Sequence, residues 1–194
     1  MAAKKLSYRL PLLTEDKLDD EQSALLQSMR AGPRGDRVKL GGPFGVYMHA
    51  PQYGELTQQL GAFLRFKTSL EPRLSEFAIL CIARIWRAQY EWHAHAPIGE
   101  KAGVTAQAIR DIKAGRTPKR AAKDERAIFD FIWELHKKRR VSERNYKRVQ
   151  GILGDRGLVE LIGILGYYTG VSMILNVFNV PLPEGAAPYF AEPK

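Results

Sequence analysis

Among 194 residues there is a single cysteine, Cys81. One thiol excludes an internal disulfide, a multi-cysteine zinc site and an intramolecular Cys-x-x-Cys redox cycle. Long apolar runs are also scarce. The one uncharged stretch that invites a membrane reading, 161–175, lies between Glu160 and the Asn176, Asn179, Pro181 and Pro183 that follow. It falls short of the about 20 apolar residues that a bilayer core takes, so a helix buried within the chain or between subunits is expected. The N-terminus lacks the apolar core of a leader, because Lys4 and Lys5 are followed by Tyr8, Arg9 and Pro11. A cytoplasmic protein is expected. No segment alternates β-branched and polar residues, which argues against a sheet.

What is present is a globular balance: 45% hydrophobic and 26% charged residues, enough for a core and its coat. The net charge of +9 is unevenly spread, with 12 basic and five acidic residues between Arg116 and Arg148. Its sharpest point is Lys137-Lys138-Arg139-Arg140. Such a cluster can mark a nucleic-acid or anionic-membrane footprint. Here no aromatic residues interleave with it and no nucleic-acid motif accompanies it, so a solvated helix face is favoured. A positive field that draws in small anionic substrates is the milder alternative. Neither a nucleic acid nor a membrane is expected as partner.

The rest reads as helix. Gly32-Pro33 stops a first helix around 18–29, and the glycines and prolines of 34–45 read as loop. Pro51 opens a helix through Phe66, with Leu56, Leu60, Phe63 and Leu64 on one apolar face. A long stretch runs from Ser75 towards Gly103. Thr105 caps a short helix closed by Gly115, and Ile128, Phe131, Ile132 and Leu135 form the stripe of the next. Ser142 caps another ending near Gly154, and an apolar helix from Gly157 to Phe178 follows. Being apolar nearly all round, that last helix is expected to be fully buried, with Tyr167 and Tyr168 candidates for a subunit interface. The fold class is all-α, one domain of about seven or eight helices, without internal repeats.

Four histidines are candidates for chemistry. His136 sits in the basic helix as surface decoration. His49, before Ala50-Pro51, caps the next helix or lines a pocket beside the glycine loop. His93 and His95 are two apart, pointing about 200° away from each other on a helix, so they cannot share a metal. Glu91 and His95 stand at i and i+4 on one face, where a carboxylate can fix an imidazole tautomer. Glu76 lies 15 residues before Glu91, roughly 22 Å along an unbroken helix. They meet only if the chain turns, and Arg87-Ala88-Gln89 is the place without apolar demand.

The segment 70–103, "LEPRLSEFAILCIARIWRAQYEWHAHAPIGEKAG", resembles the core of the carboxymuconolactone decarboxylase and alkylhydroperoxidase D superfamily. Leu70, Arg73, Glu76, Ala78, Ile79, Leu80, Arg84, Tyr90, Glu91, Trp92, His95 and Gly103 stand at its pattern positions. The likeness runs from about 42 to 180. It leaves 1–41 as a helical arm and 181–194 as an irregular tail of one domain, and implies a multi-helix bundle that folds back near Arg87. The peroxidase branch carries cysteines where this chain has Ala88 and Glu91. Peroxide reduction needs a thiolate and a resolving partner, so that activity is disfavoured.

The resemblance therefore implies a cofactor-free lyase on a small anionic lactone or keto-type acid from aromatic-compound degradation. His95 would donate the proton, Glu91 orient it, and Glu76 bind or relay protons. Arg84 suits a substrate carboxylate or a salt bridge with Glu76 equally well. Tyr90, Trp92 and His49 are candidate pocket walls. No metal or cofactor is expected, and a homo-oligomer, trimer or hexamer, is implied. The alternative is a non-catalytic helical oligomer that retains the pocket.

Overall fold

The computed structural model describes residues 7–191. Residues 1–6, part of the N-terminus read above as lacking a leader, and 192–194, the end of the tail, lie outside the described residues. Eight α-helices and two short 3-10 turns make up the described chain, and no strand occurs among the described residues. The helices are α1 (Asp20–Ala31), α2 (Gly42–Tyr47), α3 (Pro51–Phe66), α4 (Pro72–Ile85), α5 (Gln89–Lys101), α6 (Ala106–Lys113), α7 (Lys123–Lys138) and α8 (Glu143–Val177).

Their starts follow local chemistry. Asp19 and Gln22 form a reciprocal capping box at α1, and prolines open α3 and α4, where a missing N–H costs nothing. Thr105 caps α6, accepting from the Ala108 N–H, and Ser142 caps α8 through the Asn145 N–H. The glycine-rich stretch read as loop contains α2: Gly42 takes φ +59°, and Pro43 then sets the first turn.

α4 is the central element, with every residue from Leu74 to Ala83 buried. α5, α7 and α8 pack around it. Arg73 ties α4 to α7 through Asp124 at 2.6 Å and Glu125 at 3.0 Å. Glu160 of α8 accepts from both the N–H and the hydroxyl of Ser69, at 2.7 and 2.6 Å, and fixes the turn before α4. A second, smaller core joins Leu25, Leu26 and Met29 of α1 to Tyr47 and Met48.

Two apolar faces depart from expectation. On α3 the stripe points outward: Leu56, Leu60 and Phe63 are exposed, while Gly54, Gln58, Gly61 and Leu64 face inward. The cause is close approach. A Cβ at Gly54 would sit 2.9 Å from the Tyr47 Cβ, so only a bare backbone fits there. On α8, Val159, Ile162, Met173 and Val177 are exposed, so this helix is not buried all round within one chain. Gly154, at φ +67°, kinks α8 where its first segment was expected to end. α8 is long and apolar enough to cross a membrane by length and composition, and 44% of its most apolar window is buried inside the protein.

Candidate active site

α4 ends without glycine or proline. Arg87 takes the left-handed conformation (φ +50°). The Ala88 N–H then reaches back to the Ala83 carbonyl at 2.9 Å, and the Arg87 N–H to the Arg84 carbonyl at 3.2 Å. This is the six-to-one and five-to-two pattern of a Schellman cap, normally made with glycine. The chain reverses and α5 starts at Gln89. Gly99 permits the return helix to pass close to α4, since a Cβ there would lie 3.1 Å from Leu80.

The reversal brings Glu76, Glu91 and His95 together. His95 Nδ1 is 2.7 Å from Glu76 Oε2, and Nε2 is 3.3 Å from Glu91 Oε2. All three are about 95% buried. The Tyr168 ring meets the imidazole edge-on, centroids 5.1 Å apart, and Tyr167 packs edge-on against Tyr168. A carboxylate accepting from Nδ1–H fixes the ring tautomer and leaves Nε2 to exchange a proton. Burial pushes the Glu91 carboxyl up from its ordinary value. His95 and Arg65 oppose that rise, and Glu76 adds to it. Glu91 Oε2 is buried without a hydrogen-bond partner among the described residues. The arrangement anchors Nδ1 of the ring on Glu76 and sets Nε2 facing a carboxyl that holds its proton more tightly than an exposed glutamate does.

The remaining candidates are placed elsewhere. Trp92 is buried against Phe190 of the tail, centroids 5.3 Å apart. Tyr90 packs on Gly42 and lines a cavity of ≈ 320 Å³ with Gly41, Gly45 and Pro181. His49 follows α2, with a buried Nε2 that has no partner among the described residues. Arg84 makes no ion pair with Glu76. It lies eight residues further along α4, about 12 Å at 1.5 Å per residue, and lines a different cavity. His93 Nδ1 lies 2.9 Å from the Tyr189 hydroxyl and so serves the tail.

Sequence reasoning missed the tyrosines as part of this site. Tyr168 walls His95 within the same chain, and Tyr167 reaches over Gly61, where a Cβ would overlap its hydroxyl. The bare Gly61 on an otherwise bulky helix was the available signal. Arg65 is close enough to Glu91 to favour its ionised form. Neither of the two cavities described touches His95. Among the described residues no group of three or more His, Cys, Asp or Glu side chains is arranged to hold a metal ion.

No family model matches the chain, and no curated protein matches it significantly. A solved structure does: an uncharacterized peroxidase-related protein from Silicibacter sp. TM1040, with a TM-score of 0.74. The match covers 98% of this chain and 100% of that one, at 13% sequence identity. The chain has that fold. At this identity the likeness establishes the all-helical fold and leaves the chemistry to be argued from the site.

Proposed function

We propose that the protein is a cofactor-free acid–base enzyme of the carboxymuconolactone decarboxylase type. Its substrate would be a small anionic lactone or keto-type acid from aromatic-compound degradation. The observation that carries this reading is His95 held between two buried carboxylates, Nδ1 at 2.7 Å from Glu76 and Nε2 at 3.3 Å from Glu91. In decarboxylation the bond to the carboxylate breaks and its electron pair moves into an adjacent carbonyl. The resulting enolate carbon then takes a proton. His95 Nε2 would deliver that proton, Glu91 would restore it, and Glu76 would stabilise the imidazolium formed in between.

Because the triad is buried, a substrate reaches it only if the packing around it opens. Thiol chemistry has no support, because Cys81 is fully buried on α4 and burial raises its thiol. The same burial of the triad favours a second reading, a non-catalytic helical oligomer in which the cluster is structural. One screen separates them. Lactones and keto acids are assayed for CO₂ release with wild type, Glu91→Gln and His95→Gln. The enzyme reading expects turnover by wild type that falls by about 10²-fold or more in both variants, as for loss of a general acid. Turnover equal in all three contradicts it, and no turnover across the panel supports the structural reading.

A further inference from the structure

The second cavity, ≈ 370 Å³, lies where the end of α4 meets the turn after α6 and the last turns of α7. Arg84, Ile85, Gly115, Trp133, His136 and Lys137 line it. Arg84 makes no hydrogen bond or ion pair with any described residue, and its Nε is buried without a partner. Its immediate company is the Phe190 ring, 5.7 Å from the guanidinium carbon, and the bare Gly115. A Cβ at Gly115 would meet Arg84 Nη2 at 2.7 Å, so glycine there makes room for the guanidinium. A guanidinium carries five donors, and leaving a partly buried one unmatched is costly.

Nearby carboxylates are already engaged. Asp111 holds Arg116 at 3.0 Å, Glu134 holds Lys138 at 3.0 Å, and Asp130 holds Arg126 and Arg148 at 3.0 and 2.8 Å. None pairs with Arg84 or Lys137. Burial and the charge of Arg87 both hold the Arg84 pKa below its usual value, the mark of a cation lacking a counter-charge. Apolar side chains share the lining. The Trp133 indole is stacked on Phe129 at 4.1 Å and 18°, which fixes its plane, and Ile85 adjoins the same space. His136 Nδ1 lies 2.9 Å from the Ile132 carbonyl and so must donate there, leaving Nε2 as the ring's other polar atom.

We propose that this cavity binds a small aromatic carboxylate, its carboxylate on Arg84 and Lys137 and its ring on Trp133 and Ile85. The planar guanidinium fork matches a carboxylate bidentately. The volume suits a one-ring acid, at the small end of ligand pockets. Lys137 opens the basic run of α7, and the surplus of positive charge around it supplies the field that draws such an anion in. The site is distinct from His95 and does not depend on the reaction assigned there.

Benzoate is the probe. Titrated into the full chain and followed by the three indole N–H resonances, it should saturably shift the one that disappears in Trp133→Phe. At equal ionic strength neither inorganic phosphate nor neutral benzamide should compete effectively. Arg84→Gln should weaken binding about tenfold, as for loss of a charge-assisted bond, while His95→Gln should bind as wild type does. If Arg84→Gln fails to fold, Lys137→Gln, at an exposed side chain, should weaken binding in the same direction. Absence of saturable benzoate binding, phosphate competing as strongly as benzoate, unchanged affinity in the arginine or lysine variant, or loss of binding in His95→Gln would each overturn the assignment.

Discussion

His95 Nδ1 and Glu76 Oε2 are 2.7 Å apart across nineteen residues of chain, a separation that only a helix reversal can close. The site depends on that reversal, and the reversal runs through the left-handed backbone at Arg87. A non-glycine residue in the left-handed region costs about 1 kcal/mol or more. Arg87→Gly should therefore raise unfolding stability by about 1 kcal/mol with the fold unchanged, measured by urea denaturation. Destabilisation by a similar amount would mean that the arginine side chain contributes more than its backbone conformation costs.

Glu91 should leave its mark on the pH dependence of stability. Burial raises its folded-state pKa above the ordinary 4.5, so the folded state binds this proton more tightly than the unfolded one. The group's contribution to stability is then complete below about pH 4.5 and declines as pH rises towards the folded value. Glutamine does not titrate. The stability of Glu91→Gln relative to wild type should grow between pH 4 and pH 8. A difference that stays constant over that range would show that Glu91 ionises freely in the folded protein.

The inward face of α3 offers a packing test. Alanine is the better helix former by about 1 kcal/mol, so Gly54→Ala would stabilise an open helix. Here its Cβ would meet the Leu25 methyl at 2.8 Å, the Tyr47 Cβ at 2.9 Å and the Tyr47 carbonyl at 3.0 Å. Overpacking against backbone costs about 1–3 kcal/mol, which outweighs the propensity gain. A lowered thermal midpoint is expected.

The outward faces bear on assembly. Leu60 of α3 and Val159 of α8 are 50% and 72% exposed, and together with their neighbours they present apolar surface on two helices that pack against each other. We expect light scattering to give a mass that is a multiple of three times 21.9 kDa, as the family resemblance implies. Leu60→Glu with Val159→Glu should yield a folded monomer. A wild-type monomer at micromolar concentration would contradict this.

Much of the fold was legible because helix punctuation is local. Pro51, Thr105 and Ser142 each mark a start where the structure has one, and Gly154 marks the kink. The i, i+4 spacing placed Glu91 beside His95, but the turn that delivers Glu76 could be located only by what Arg87-Ala88-Gln89 lacks. The face that α3 turns inward was not legible. Leu56, Leu60 and Phe63 follow helical periodicity as a core stripe would, and the tertiary contacts of Gly54 and Gly61 overrule them. Likewise Tyr167 and Tyr168 carry no local sign of facing Gly61 and His95, since both meetings join residues far apart along the chain.

The most direct test of the central claim is the position of the ring proton on His95. The ¹⁵N shifts of its two ring nitrogens at neutral pH report it. We expect a proton on Nδ1, donated to Glu76, with Nε2 as the atom that exchanges its proton beside Glu91. A neutral ring protonated on Nε2, with Nδ1 bare and the proton held by Glu76, would contradict the assignment of donor and anchor.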